Sequence, residues 1–204
     1  IMKKCGNNKT MVYCFNTQKQ GQKLHYQHCE PARGQMSDHI FRGRLLPSSS
    51  MMINRSSLIS LRGHSEELIS CVDHDMWMKL AINGFDMDLV EEGLIYSMDD
   101  ERKRMVNQFD CRLEGIKQFF NKWKPKVIDE CGIESWMKIE RKYHSQTSYG
   151  IVDSYRKDII SEDEGVSYLK DLFLLQSIKF SWFDILIARF GLKFSTRVLD
   201  FIPL

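Results

Sequence analysis

The chain has 204 residues, 43% hydrophobic and 27% charged, enough for one globular domain with a real core and a small appendage. Its 29 Lys and Arg against 27 Asp and Glu leave a net charge of +2 with no long basic stripe, which argues against a nucleic-acid partner. No apolar run reaches the ~20 residues of a membrane span, and six cysteines, scattered without a Cys-x-x-Cys pair, fit reduced thiols in a cytoplasmic setting.

Ile1 to Asn8 reads as the end of a helix running into a turn, and a start at Ile is expected of an excerpt of a longer protein. Met11 to Phe15 is a short β-prone run between polar turn residues. Residues 16–36, with Gly21, Pro31 and Gly34, read as a long loop or irregular hairpin. Within them His25-Tyr26-Gln27-His28-Cys29 lacks a second ligand group at zinc-finger spacing, which weighs against a metal role. Ser37 and Asp38 open a short helix to Gly43. Pro47 to Asn54 reads as a strand entered from a Pro-Ser turn, and Arg55 to Arg62 as a helix stopped at Gly63. After a loop over 64–72, Asp73 to Asn83 is predicted as an amphipathic helix ended by Gly84 as a left-handed cap. Asp86 to Glu91 and Leu94 to Ser97 read as two short strands around Gly93.

From residue 102 the pattern becomes helical. Val106, Phe109, Leu113, Ile116, Phe119, Phe120 and Trp123 fall on one face, and Pro125 is expected to stop the run. Further helices are expected over 133–146, 150–160, 162–180 and 182–201. Cys71 and Cys111 read as packing residues. The expected architecture is α/β with a mixed sheet over 1–101, followed by an all-α region over 102–204.

The segment Asp73-His74-Asp75-Met76-Trp77-Met78-Lys79-Leu80-Ala81 carries the chemistry. Asp73 and Trp77 are four apart, hence on one helix face, and the helix dipole favours an ionised carboxylate in the first turn. Such a carboxylate can take a proton from a hydroxyl. The plainer reading makes Asp73 an N-cap and Trp77 core.

Three segments in order carry a resemblance. Pro47-Ser48-Ser49-Ser50-Met51-Met52-Ile53-Asn54-Arg55 resembles a "sSvmirRs" strand, the Asp73–Ala81 segment an "EDwdlwlRLa" helix, and Gly84 to Tyr96 a "gf.i..v.epLvyy" strand. Together they resemble the C-terminal half of the catalytic domain of family 2 glycosyltransferases, which have the GT-A fold, over residues 10–125. The resemblance implies inverting transfer of a sugar from a nucleotide-sugar to a hydroxyl of a glycan, lipid-linked or protein-linked acceptor. By position Asp73 is the implied base, and Asp75 and Trp77 support or wall the site. A free carboxylate, with a pKa near ~4, is a weak base, so such a site works mainly by holding the acceptor in line.

Two departures from the family stand out. Val72 precedes the base where the family often has Glu, and Tyr96 is followed by Ser97-Met98-Asp99-Asp100 with no His. Asp99 or Asp100 could give oxygen ligands to a divalent cation, Mn or Mg, against a plainer reading as a solvated acidic turn. Asp86-Met87-Asp88 follows the base helix and so is the alternating face of a strand, not the family's metal motif. The resemblance therefore implies that this chain holds the acceptor half of a site, lacks the donor half, and binds nucleotide-sugar weakly alone.

Ser49 and Ser50 lie where acceptor contacts are implied, although a polar turn is the more common explanation. Arg102 and Arg104 could face a diphosphate or be a solvated charge run. The tail 181–204, with Arg189, Lys193 and Arg197 spaced by four, could lie on a membrane surface or pack on neighbouring helices. The rival readings are a non-catalytic helical interaction module working through 102–204, and a relative that has lost catalysis.

Overall fold

The computed structural model describes residues 9–20, 23–27, 31–43, 48–98 and 108–175. The chain divides into two compact units, Ile1–Arg102 and Lys103–Leu204. The first is mixed α/β, and the described part of the second is helical.

The first unit is built on β1 (Thr10–Gln20), whose Met11, Val12, Tyr13 and Cys14 are all buried in succession. Burial on both faces is the mark of a central strand, and β1 is one. Along one edge it pairs antiparallel with β2 (Lys23–Gln27) and with β4 (Met51–Met52). Along the other it pairs parallel with β5 (Asp86–Met98), which in turn pairs antiparallel with β3 (Gly34–Gln35). The sheet is therefore mixed, in the order β2-β1-β5-β3 with β4 beside β1.

Residues 16–36 are more regular than a loop. Asn16 to Gln20 pair with Gln27 to Lys23 as a polar hairpin, held by backbone bonds that side-chain alternation does not report. The Tyr13 hydroxyl donates to the Ala32 carbonyl at 3.1 Å and accepts from the Ala32 N–H at 2.6 Å, anchoring the return of the chain to the sheet. The short helix α1 (Met36–Ile40) then buries Met36 and Ile40. Its cap position is Gln35, with Asp38 in the first turn.

Two strand predictions need correction. The Pro-Ser segment forms a 3-10 turn over Ser48–Ser50, leaving only the two residues of β4 to pair with Val12 and Tyr13. The two strands predicted around Gly93 are one, β5. Its pairing with β1 slips at Cys14/Phe15 and again at Phe15/Asn16, so that Val90, Gly93 and Ile95 face Cys14, Phe15 and Asn16. A bulge breaks the alternation of side chains without ending a strand, and glycine is a common residue at one.

Between β4 and β5 lie α2 (Arg55–Ser60) and α3 (Val72–Ile82). Asn54 caps α2, its side chain accepting from the Ser56 N–H at 2.9 Å. α3 buries Asp75, Met76, Trp77, Met78, Leu80 and Ala81, so it is covered around most of its surface and not along one stripe. Gly84, at φ 70°, closes it: the Gly84 N–H reaches the Ala81 carbonyl and the Phe85 N–H the Leu80 carbonyl. This double bond is the Schellman closure that glycine favours.

The second unit contains α4 (Phe109–Cys131), α5 (Ile133–Arg156) and α6 (Glu162–Leu174). α4 does not stop at Pro125; it runs six residues further, to Cys131. Trp123 and Val127 are buried on either side of the exposed Pro125, and that packing outweighs the lost backbone bond. Gly132, at φ 81°, turns α4 into α5, which is likewise a single helix through Gly150. Phe120 meets Trp136 edge-on at 5.1 Å and Tyr143 at 5.5 Å, while Phe109 clusters with Ile151, Val152 and Leu169. Partners that lie further along α5 the nearer they sit to the start of α4 make the pair antiparallel. Cys111 is exposed, so it is not the packing residue expected, and Cys71 is half-buried. At Cys131, burial and then Glu130 push the thiol above its ordinary value.

Candidate functional site

Asp73 stands in the first turn of α3, at its second helical position. It is half-buried, and its Oδ1 accepts the backbone N–H of His74 at 2.9 Å. It is not the N-cap. That position belongs to Cys71, which has φ 61° and ψ 21° and makes no side-chain capping bond.

The Cys71 conformation is unusual for its place. Among the described residues, three that are not glycine have positive φ: Arg62, Cys71 and Asp158. Arg62 and Asp158 each close a helix, α2 and α5, with the same double bond that Gly84 makes after α3. Cys71 instead opens a helix, where an extended conformation is the norm. A left-handed L-residue costs about 1–3 kcal/mol and persists only where its surroundings enforce it, and such residues concentrate at functional sites. Here the strained residue lies two positions before the candidate base.

The loop into Cys71 is tied to α3 by a buried charge cluster. Asp75 is fully buried, and its Oδ2 lies 3.1 Å from Lys79 Nζ, one turn along the same helix. The Ser65 hydroxyl, also buried, donates to that oxygen at 2.5 Å. Lys79 Nζ further donates to the Ser65 hydroxyl at 2.9 Å and to the Gly63 carbonyl at 3.0 Å. At the far end of the loop, His64 Nδ1 lies 3.3 Å from the Val72 carbonyl.

The sequence-predicted residues therefore take different places. Asp73 keeps part of its carboxylate accessible, whereas Asp75 points inward and Trp77 is 5% exposed. Ser49 is exposed and Ser50 buried in the turn that leads onto β4. Asp99, Asp100, Arg102, Arg104 and the tail 181–204 lie outside the described residues. Asp86 and Asp88 belong to β5 and are engaged there: Asp86 accepts from Gln35 at 2.7 Å, and Asp88 pairs with Arg33. Arg33 also donates to Glu91 at 2.7 Å, and Glu91, with Asp88 adding, holds the guanidinium above its ordinary value. Sequence reasoning missed Ser65, Lys79 and the strain at Cys71. The four-residue spacing of Asp75 and Lys79 signals their pairing; no local pattern signals the other two.

Among the described residues, no group of three or more His, Cys, Asp or Glu side chains could hold a metal ion. Nor is any helix among them long and apolar enough to cross a membrane. Comparison with known proteins found no match to a protein-family model, to a curated protein or to a solved structure.

Proposed function

We propose that the chain is the acceptor-side half of an inverting glycosyltransferase of GT-A type, with Asp73 as its general base. The observation that carries the proposal is the setting of Asp73. It is a partly accessible carboxylate in a helix's first turn, held on one oxygen by the His74 N–H and preceded by a strained residue. The resemblance of three ordered segments to the family supports the same reading.

In this mechanism the acceptor hydroxyl attacks the anomeric carbon of the nucleotide-sugar. Asp73 takes the hydroxyl proton, the new glycosidic C–O bond forms, and the C–O bond to the phosphate breaks with its electron pair leaving on the nucleoside diphosphate. The His74 N–H holds one oxygen of that carboxylate, Oδ1, before attack. Ser49, Arg102 and Arg104 remain proposed contacts to acceptor or diphosphate, and Asp75 and Trp77 proposed supports. A divalent cation, Mn or Mg, would be held chiefly by a donor half outside this chain, with Asp99 and Asp100 as proposed further ligands. No step above runs through it. A cytoplasmic site facing a membrane-bound acceptor is part of the same proposal.

The test is Asp73→Asn in the protein that contains both halves. General-base removal is expected to cut transfer by about 10²–10⁴-fold, with the circular dichroism of the fold unchanged. Full activity in that variant overturns the proposal and leaves the helical interaction module as the better reading.

A further inference from the structure

The Asp75 cluster does more than satisfy a buried charge. Asp75 uses two of its groups, the backbone N–H and the carboxylate, to join three pieces of chain. Its N–H donates to the carbonyl of the strained Cys71 at 2.9 Å. Its carboxylate accepts from Ser65 in the loop and pairs with Lys79 in the second turn of α3. Lys79 closes the circuit by reaching back to Ser65 and Gly63. The start of the loop, its end and the helix are thus fixed relative to one another by bonds from Asp75 and its partner Lys79.

Asp73 lies inside that circuit, two residues after Cys71 and two before Asp75. The turn it occupies is bounded by the Cys71 carbonyl and the Asp75 N–H on either side. We propose that Asp75, Lys79 and Ser65 are positioning residues that aim the Asp73 carboxylate by holding Cys71 in its left-handed conformation. From the preceding reading this takes only that Asp73 is the working carboxylate.

Charge supplies the reason for a polar device in this place. A buried Asp–Lys pair gains little stability over an apolar pair of similar size. Its bonds are directional, however, and a displacement of about 1 Å at a reacting group costs on the order of 10²-fold in rate. An apolar contact would leave the loop free to slide along α3; the Lys79 ammonium, with donors to both Gly63 and Ser65, does not.

The His74 N–H gives a direct readout, because it donates to Asp73 Oδ1 and so shifts when that carboxylate takes up a proton. Proton–nitrogen correlation spectra of the chain across pH should show this shift at His74, and Asp73→Asn should abolish it. Ser65→Ala and Lys79→Met are expected to lose most of the shift while the helical circular dichroism is kept, and Lys79→Arg, which retains charge and donors, to restore it. A full His74 shift in Ser65→Ala and Lys79→Met shows the cluster to be structural support only and overturns the proposal. If Lys79→Met fails to fold, Ser65→Ala decides alone, since it leaves the Asp75–Lys79 pair in place. The catalytic reading fails by a different result, transfer that survives Asp73→Asn.

Discussion

Among the described residues, each unit of the molecule buries one carboxylate on a helix, and the two are handled differently. In the first unit Asp75 is fully buried, and in the second Glu140 is 1% exposed. Each has a partner four residues away on its own helix: Lys79 for Asp75, and the Trp136 indole N–H, at 2.7 Å, for Glu140. Each has a further partner from elsewhere. For Glu140 it is Lys124 of α4 at 3.5 Å, so the bond joins two long regular helices. For Asp75 it is Ser65, in an irregular loop that ends in a strained residue. A buried charge therefore does not mark a functional site by itself. What distinguishes Asp75 is the irregular backbone it holds and the partly accessible carboxylate beside it.

The largest effect is expected where the second unit concentrates its packing. Trp136 is wholly buried, meets Phe120 edge-on and donates to Glu140. Trp136→Ala should cost about 3–5 kcal/mol, read as a loss of unfolding free energy in urea followed by helical circular dichroism. A cost near that of a surface substitution would show that the aromatic cluster is not the centre of this unit.

The two carboxylates can then be compared directly. Asp75→Asn leaves the Lys79 ammonium, 17% exposed, without its counter-charge, and should cost about 3 kcal/mol. Glu140→Gln keeps an oxygen to accept from Trp136, and Lys124 already reaches water at 36% exposure, so its cost should be about 1 kcal/mol. Equal costs, measured by the same urea titration, would erase the distinction drawn between the two sites.

The same contrast explains what could be read in the sequence. The helical unit follows local rules, so the apolar spacing of Phe109 through Trp123 located α4 and its buried face. Its error, the stop at Pro125, came from a local penalty that packing at Trp123 and Val127 overrides. In the first unit Met11 to Phe15 marked the central strand and Gly84 the end of α3, both strong local signals. The polar half of β1, the bulge at Gly93 and the brevity of β4 depend on backbone pairing between distant segments, which side-chain patterns record poorly. At the site, Asp73 was legible as a first-turn carboxylate. Ser65 lies ten residues from Asp75, and the left-handed Cys71 is not a residue type that favours positive φ, so neither left a pattern to read.

The smallest effect sharpens the comparison at a helix start. Where α3 begins at an uncapped, strained Cys71, α6 begins with a full capping box. The Ser161 hydroxyl accepts from the Glu164 N–H at 3.3 Å, and the Glu164 carboxylate accepts from the Ser161 N–H and hydroxyl, both at 2.8 Å. Those bonds, the backbone N–H foremost, hold Glu164 below the usual carboxylate value. A carboxylate lowered in the folded state binds its proton more readily when unfolded. Its contribution is therefore complete above the ordinary carboxylate value and is lost as pH falls through the lower, folded one. Ser161→Ala should weaken α6 by about 1 kcal/mol, seen as faster amide exchange in its first turn at neutral pH. The difference between variant and parent should shrink on acidification, because protonation already removes half of the box. At α3, whose Cys71 makes no side-chain capping bond, the same acidification should change exchange in the first turn less, acting on the bond from the His74 N–H to Asp73. Exchange that responds to acid equally at both helix starts would mean that the bare Cys71 start is capped after all.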